Sequence, residues 1–270
     1  QLTLGARHQE VRTRTFNGTS GAETARYEKS AITPMAALLF KPTQGISLYG
    51  NYIEGLSQGS TAPEGTANAG EIFPPSKSRQ VELGAKFDTG NFVTTASVFQ
   101  ISRPSSVLNA STTPSTFRMD GEQRNRGVEI VTQGEVQRGL RLLTGVAFTQ
   151  GKLTKTEDGL NDGRTAPATP KVQINIGGEW DTAFVPGLTL TARALHTSSQ
   201  YVDVANTQQL PSWNRFDLGA RYRFKAGNTP VTLRLTVENL LNKNYWQSAA
   251  REGLTMGAPR TVLLSASTEF

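Results

Sequence analysis

The stretch Lys171-Val172-Gln173-Ile174-Asn175-Ile176-Gly177-Gly178-Glu179-Trp180 decides the fold. Val172, Ile174, Ile176, Gly178 and Trp180 fall on one side, while Lys171, Gln173, Asn175, Gly177 and Glu179 fall on the other. Period-two alternation of this kind belongs to a strand whose two faces meet different surroundings. The pattern returns where Phe216, Leu218, Ala220, Tyr222 and Phe224 interleave with Asp217, Gly219, Arg221 and Arg223. It returns again where Val231, Leu233, Leu235 and Val237 interleave with Thr232, Arg234, Thr236 and Glu238. The closing segment sets Val262, Leu264, Ala266 and Phe270 against Leu263, Ser265, Ser267 and Glu269, and weaker versions lie at 81–87, 140–148 and 188–194. With 26 glycines and 13 prolines interrupting any long helix, the chain reads as all-β.

Extending the count along the chain gives about twelve strands, starting near residues 2, 31, 46, 78, 92, 124, 140, 171, 188, 213, 231 and 260. Short connections at 41–45, 88–91, 135–139, 181–187 and 225–230 carry turn formers. Long ones near 16–30, 58–77, 104–118, 152–169, 200–212 and 240–258 are rich in Ser, Thr, Asn, Gly and Pro. Strict alternation of long and short loops is the habit of an outer-membrane barrel, with short periplasmic turns and longer extracellular loops. A soluble sandwich has no reason to gather its long loops at one end.

The charges fix which face is which. Arg193, Arg221, Arg223 and Arg234 share the polar side of their strands, and an Arg facing lipid at the bilayer midplane costs about 2–4 kcal/mol. The polar face therefore lines a hydrated lumen and the apolar face meets acyl chains, so the register is strongly specified. Trp180, Trp213, Tyr222, Phe224, Tyr245, Trp246 and Phe270 stand near strand ends, where an interfacial aromatic girdle is expected.

Composition excludes several alternatives. A hydrophobic fraction of 36% and a mean hydropathy of −0.38 rule out a helical membrane bundle. The 28 Lys and Arg against 22 Asp and Glu are scattered, not gathered in a basic tract, which argues against nucleic-acid binding. With no cysteine and only His8 and His196, no thiolate site, metal centre or nucleophilic triad is expected. Gln1-Leu2-Thr3-Leu4-Gly5 lacks the charged and apolar regions of a signal peptide, so the chain is expected to begin inside a longer one.

Six separate motifs now carry a resemblance. They are residues 30–57, Ser76-Lys77-Ser78-Arg79-Gln80-Val81-Glu82-Leu83-Gly84-Ala85-Lys86-Phe87, and Val98-Phe99-Gln100-Ile101-Ser102-Arg103. Next come Gly121-Glu122-Gln123-Arg124-Asn125-Arg126-Gly127-Val128-Glu129, Val237-Glu238-Asn239-Leu240-Leu241-Asn242-Lys243-Asn244-Tyr245-Trp246, and Gly257-Ala258-Pro259-Arg260-Thr261-Val262. In this order and spacing the chain resembles the TonB-dependent outer-membrane receptors, particularly those for ferric siderophores. The resemblance spans residues 1–270 and implies the C-terminal portion of a receptor barrel, about twelve antiparallel strands of an expected 22, without the plug domain that fills such a lumen. It also implies a Gram-negative outer-membrane location in contact with lipid, a ferric siderophore as cargo, coupling to the TonB complex through the plug, and no cofactor or covalent chemistry.

Under that resemblance the ligand contacts are sought among Arg118, Tyr201, Trp213, Tyr245, Trp246 and Arg251 at the extracellular mouth. Arg124, Arg126, Glu129, Arg193, Arg221, Arg223, Arg234 and Glu238 are read as lumen-lining charges, with Asn239 supplying turn chemistry after Glu238. One rival is the twelve-stranded translocator of an autotransporter, although that family expects an N-terminal helix and residues 1–15 read as a strand. An outer-membrane lipase and a passive porin are the other two.

Overall fold

The computed structural model describes residues 1–250 and 253–268. Twelve strands form one sheet: β1 (Leu2–Phe16), β2 (Glu23–Thr43), β3 (Ile46–Ser57), β4 (Ser76–Asp88), β5 (Phe92–Asn109), β6 (Thr116–Gln137), β7 (Leu140–Lys155), β8 (Val172–Asp181), β9 (Leu188–Thr197), β12 (Trp213–Ala226), β13 (Thr229–Glu238) and β16 (Thr261–Thr268). Each pairs antiparallel with its predecessor, an uninterrupted meander. The missing numbers belong to two loop hairpins, β10 (Gln200–Tyr201) with β11 (Gln209–Leu210) and β14 (Trp246–Ser248) with β15 (Thr255–Met256).

All twelve sequence-read strands are present, but two begin earlier than periodicity suggested. β2 starts at Glu23 and not near 31, and β6 starts at Thr116 and not near 124. Beyond the membrane both faces of a strand are wet, so the alternation that marks a lipid-facing segment fades while the backbone ladder continues. The connections expected at 16–30 and 104–118 are consequently tall hairpins closed over 17–22 and 110–115.

The apolar face is not a core. Leu83 is 60% exposed, Val98 and Phe148 are 50%, and Leu264 is 76%. Leu83, Val98, Val128 and Phe148 lie in one cross-strand row, so this surface is continuous. A soluble sandwich would bury such a face against a second sheet, and an apolar surface of this extent signals a membrane or a partner. No helix among the described residues is long and apolar enough to cross a membrane, so any crossing is made by strands.

Short turns close one end of the sheet. Gly45 (φ +81°) accepts the Asp88 N–H at 2.7 Å, and Gly187 (φ +83°) accepts that of Arg223 at 2.9 Å. A Cβ would stand 2.5 Å from the Asp88 oxygen at Gly45 and 2.2 Å from the Arg223 oxygen at Gly187, so both turns require glycine.

Candidate binding site on the concave face

Parity along each strand sends odd-numbered residues of β4–β8 unevenly to two faces, and the register tells which. Glu129 pairs with Ser97 and Ala147, and shares a recess of about 410 Å³ with Gln80, Glu82, Asn125 and Gln173. This is the concave, polar face. Tyr49 lies over Gly84 here, donating its hydroxyl to Glu82 at 2.7 Å, and the Phe99 ring lies over Gly127. A Cβ on Gly84 would sit 2.3 Å from the Tyr49 ring, and one on Gly127 would sit 2.5 Å from Phe99. The glycines of those two motifs are therefore seats for aromatic rings from neighbouring strands.

Arg193, Arg221, Arg223, Arg234 and Glu238 lie on the same face. Arg193 Nε donates to Asn175 at 2.8 Å, Arg221 Nη2 to Glu179 at 3.0 Å, and Arg215 Nη2 pairs with Glu238 at 3.3 Å. Arg234 stands directly across from Arg221, and Arg223 follows two residues along β12. Arg141, which sequence reasoning passed over, clamps Asp181 through two bonds of 2.8 Å and reaches Glu179 at 3.3 Å.

Arg124 and Arg126 do not belong to this set. They pair with Ser102 and Gln100 in β5 and with Lys152 and Gln150 in β7, all on the convex face. The reason is elementary: 124 and 126 have the opposite parity to 129, so one strand cannot turn all three the same way. The expectation of three lumen charges in one motif is corrected to one, Glu129, with Asn125 and Gln123 as its neighbours on that face.

Loops close over the long-loop end in two groups. In the first, Tyr27, buried to 3% exposure, accepts the Gly59 N–H at 3.0 Å, and Asn68 pairs twice with the backbone of Phe117 at 2.9 Å. The Phe73 ring meets Phe117 edge-on at 5.5 Å. In the second, Asn206 exchanges two 2.8 Å bonds with Thr165, Tyr201 accepts the Ala168 N–H at 2.9 Å, and Gln200 reaches the Gln247 carbonyl at 3.2 Å. Between them opens a cavity of about 1220 Å³, lined by Arg103, Gln123, Asn125, Lys155, Asp203 and others. Arg103 donates to Gln123 at 2.8 Å and Gln123 to Asn125 at 3.0 Å, a polar ladder on its floor.

The six ligand candidates do not all converge. Trp213 stacks on Tyr245 with ring centroids 4.5 Å apart, and Tyr201 lies in the neighbouring loop hairpin. Trp213 is 9% exposed on the concave face, so it is not part of an outward girdle. Its buried Nε1 finds no acceptor among the described residues, and the ring lines a recess of about 550 Å³ with Gln200 and Gln247. Trp246 is 38% exposed in the second loop hairpin, Arg118 pairs with Asp120 beside a separate cavity of about 780 Å³, and Arg251 lies outside the described residues. Outward aromatics at the short-turn end include Trp180, set edge-on to Phe184 at 5.9 Å, Tyr222, stacked on Phe224 at 5.5 Å, and the exposed Phe40 and Phe87. Phe270 is likewise outside the described residues. His196 bonds Asn214 at 2.7 Å on the convex face, far in register from His8, which pairs with Ile32.

The closing motif is a buckle. Asn239, 1% exposed and at φ +50°, takes its N–H to Asp217 at 2.9 Å. Its side chain donates to the carbonyls of Lys243 and Ala258 at 2.9 and 3.0 Å, and accepts the Lys243 N–H at 2.9 Å. Asp217 in turn holds Arg215 through two bonds of 2.8 Å. Sequence reasoning assigned Asn239 to turn chemistry, and its amide does that work at the junction of two loops.

A twelve-stranded meander with a greasy convex face, a polar concave face and all its layered loops at one end defines a segment of an outer-membrane β-barrel receptor. The TonB dependent receptor-like, beta-barrel family matches residues 1–240, and the chain belongs to that family of transport receptors. It is similar to the ferrichrome receptor FcuA of Yersinia enterocolitica, 37% identical over all of this chain and 36% of that protein. It is also similar to the probable TonB-dependent siderophore receptor PiuA of Acinetobacter baumannii, 29% identical over all of this chain and 38% of the relative. Among solved structures it superposes on the ferric preacinetobactin receptor BauA of Acinetobacter baumannii with a TM-score of 0.85 and 46% identity, covering all of this chain and 40% of that one. The chain thus spans between 36 and 40% of the length of these relatives. β1 is a strand and no match supports the autotransporter reading.

Proposed function

We propose that the receptor carrying this segment takes up ferric siderophore complexes across the outer membrane of a Gram-negative bacterium with energy delivered through TonB. This chain supplies the C-terminal portion of the barrel wall and half of the mouth, and the coupling is made by a plug domain. The observation that carries the reading is the cavity of about 1220 Å³ between the two loop groups, floored by the Arg103, Gln123, Asn125 ladder. Its donors suit the anionic or neutral oxygens of an iron chelate, and adjacent Trp213 and Tyr245 offer ring surface with an unused indole N–H. Relatives named for ferrichrome and for ferric preacinetobactin support the cargo class. A copper transporter, OprC, shares the fold at 14% identity, so the fold alone does not choose the metal complex.

The test uses the complete receptor in an iron-starved strain lacking its own siderophore receptors. Uptake of radiolabelled iron is expected for a ferric hydroxamate or catecholate and lost on deleting TonB. Arg103→Ala with Trp213→Ala is expected to weaken binding about tenfold or more while the barrel still assembles. Uptake that persists without TonB would identify a passive pore. Binding unchanged in the double variant would move the ligand elsewhere in the mouth.

A further inference from the structure

The parity that removes Arg124 and Arg126 from the lumen leaves them with a different neighbourhood. On the convex face, one cross-strand row runs Glu54, Arg79, Ser102, Arg124, Lys152, and the row beneath it runs Val81, Gln100, Arg126, Gln150. The next row toward the short turns is the apolar Leu83, Val98, Val128, Phe148. Arg79 stands nine residues from the strand end at Asp88, Arg126 eleven and Arg124 thirteen from Gln137, and Lys152 twelve from Leu140. A tilted strand crosses the hydrocarbon in about 9–11 residues, so all four cations emerge at or just past its outer boundary.

The sheet neutralises these charges only in part. Glu54 is shared by Arg79 at 3.5 Å and Lys77 at 3.7 Å. Lys77 also donates to the Ile32 carbonyl at 2.7 Å, Lys152 to the Gly163 carbonyl at 2.6 Å, and Arg126 to Gln100 at 2.6 Å. One row further out Glu122 accepts the Thr154 hydroxyl at 2.6 Å. Arg124 has no ion pair among the described residues. The belt therefore sets Lys77, Arg79, Arg124, Arg126 and Lys152 against Glu54 and Glu122, while Arg118 and Lys155 further out are both held by Asp120. At the same height elsewhere the surface differs: Arg12 on β1 is paired with Glu10 at 2.7 Å and Glu28 at 3.5 Å, and β9 with β12 presents His196 bonded to Asn214.

We propose that this outward face of β4 to β7 binds the phosphorylated headgroup of an outer-leaflet lipid through Arg79, Arg124, Arg126 and Lys152. Arginine forks and a lysine spread over about 15 Å of sheet match several phosphate oxygens of one large headgroup. The apolar row directly below receives its acyl chains, a contact that a free anion lacks. The site rests on the membrane crossing of the strands and is independent of the cargo and of TonB.

The test is native mass spectrometry of the intact receptor, delipidated in detergent and titrated with bisphosphorylated lipid A. The parent protein is expected to retain the lipid, and Arg79→Gln, Arg124→Gln, Arg126→Gln and Lys152→Gln together are expected to weaken retention at least about a hundredfold. Arg12→Gln, on the paired part of the same belt, is expected to bind as the parent does. Folding of the quadruple variant is read from its heat-modifiable migration, and a second arm needs no mutation: dephosphorylated lipid A is expected to lose retention on the parent to the same degree. Equal retention of the dephosphorylated lipid overturns the proposal, as does full retention by a folded quadruple variant. Displacement of the lipid by millimolar inorganic phosphate would show a free-anion site and overturn it too.

Discussion

The hairpin of β1 and β2 and the junction of β12, β13 and β16 are made of the same backbone ladder, yet they are held at the long-loop end in opposite ways. The hairpin carries Arg12 with Glu10 and Glu28, and Arg26 with Glu28, between side chains that are 38–66% exposed. The junction carries Asn239 at 1% exposure, Asp217 with its side chain at 8% and Arg215 at 16%. Water can replace every bond of the first set and few of the second. The lesson is that the number of polar contacts says little about anchoring, whereas their access to solvent says a great deal.

Breaking the junction is expected to give the largest effect. Asn239→Ala removes the partners of the Lys243 and Ala258 carbonyls and of the Lys243 N–H, and puts alanine at φ +50°. Each buried group left unpaired costs about 1–3 kcal/mol, so a loss of about 3–5 kcal/mol is expected in urea unfolding of the receptor in lipid. Asn239→Gly restores the backbone freedom but not the amide, and is expected to recover less than about 1 kcal/mol. A loss below about 1 kcal/mol in Asn239→Ala would erase the contrast between the two regions.

The next effect compares two glycines. At Gly257 a Cβ would meet the Tyr245 ring at 2.1 Å, while at Gly5 it would meet the Met35 side chain at 2.9 Å. Methionine bends aside at little cost, but the Tyr245 ring is stacked on Trp213. Gly257→Ala is expected to cost about 1–3 kcal/mol and to change Trp fluorescence as the stack opens, and Gly5→Ala about 0.5 kcal/mol or less. Adding Tyr245→Ala is expected to make Gly257→Ala nearly neutral, since the two effects share one cause.

How much of this was legible beforehand follows from the same contrast. The strand set and its greasy face were readable because period-two alternation persists wherever one side meets lipid, as in Val172, Ile174 and Ile176. The upper halves of β2 and β6 were not, because there Thr24, Arg26, Glu28 and Ser30, and Thr116, Arg118 and Asp120, occupy the face that is apolar lower down the same strands. Arg124 and Arg126 were misassigned although their parity alone excludes them from the face of Glu129. Gln123 and Asn125 share parity with Glu129 along β6, and Arg103 of β5 stands across from Gln123, so parity alone places that floor on the lumen face. The pairing of Trp213 with Tyr245 bridges 32 residues through a loop, and no local pattern encodes it.

The exposed hairpin supplies the third test, with a smaller effect. Glu28→Gln removes the partner of Arg12 and Arg26, whose side chains stand open to solvent. Its cost is expected at about 0.2–1 kcal/mol at low salt and to vanish near 1 M salt, where the screening length is about 3 Å. A salt-independent loss would mean that the hairpin is anchored like the junction.

The smallest effect lies in the loop of β10 and β11, which mixes the two regimes: a solvent-facing carboxylate held by backbone donors. Asp203 accepts the N–H of Thr207 at 3.0 Å, that of Gln208 at 2.8 Å and the Thr207 hydroxyl at 2.9 Å. The Thr207 and Gln208 amides, followed by the Thr207 hydroxyl, hold its pKa below the ordinary carboxylate value because they bond to the charged form. A depressed folded pKa contributes order that is complete above the unfolded value of about 3.9 and is lost as pH falls through the folded one. The Thr207 and Gln208 amides are therefore expected to stay slow to exchange down to about pH 4 and to loosen below it, on top of the intrinsic rate. In Asp203→Asn the same amides are expected to exchange faster at neutral pH, with no titration of their own. If the parent loop keeps its protection well below pH 3, the carboxylate does not hold it, and its order comes from the Asn206 and Thr165 pair alone.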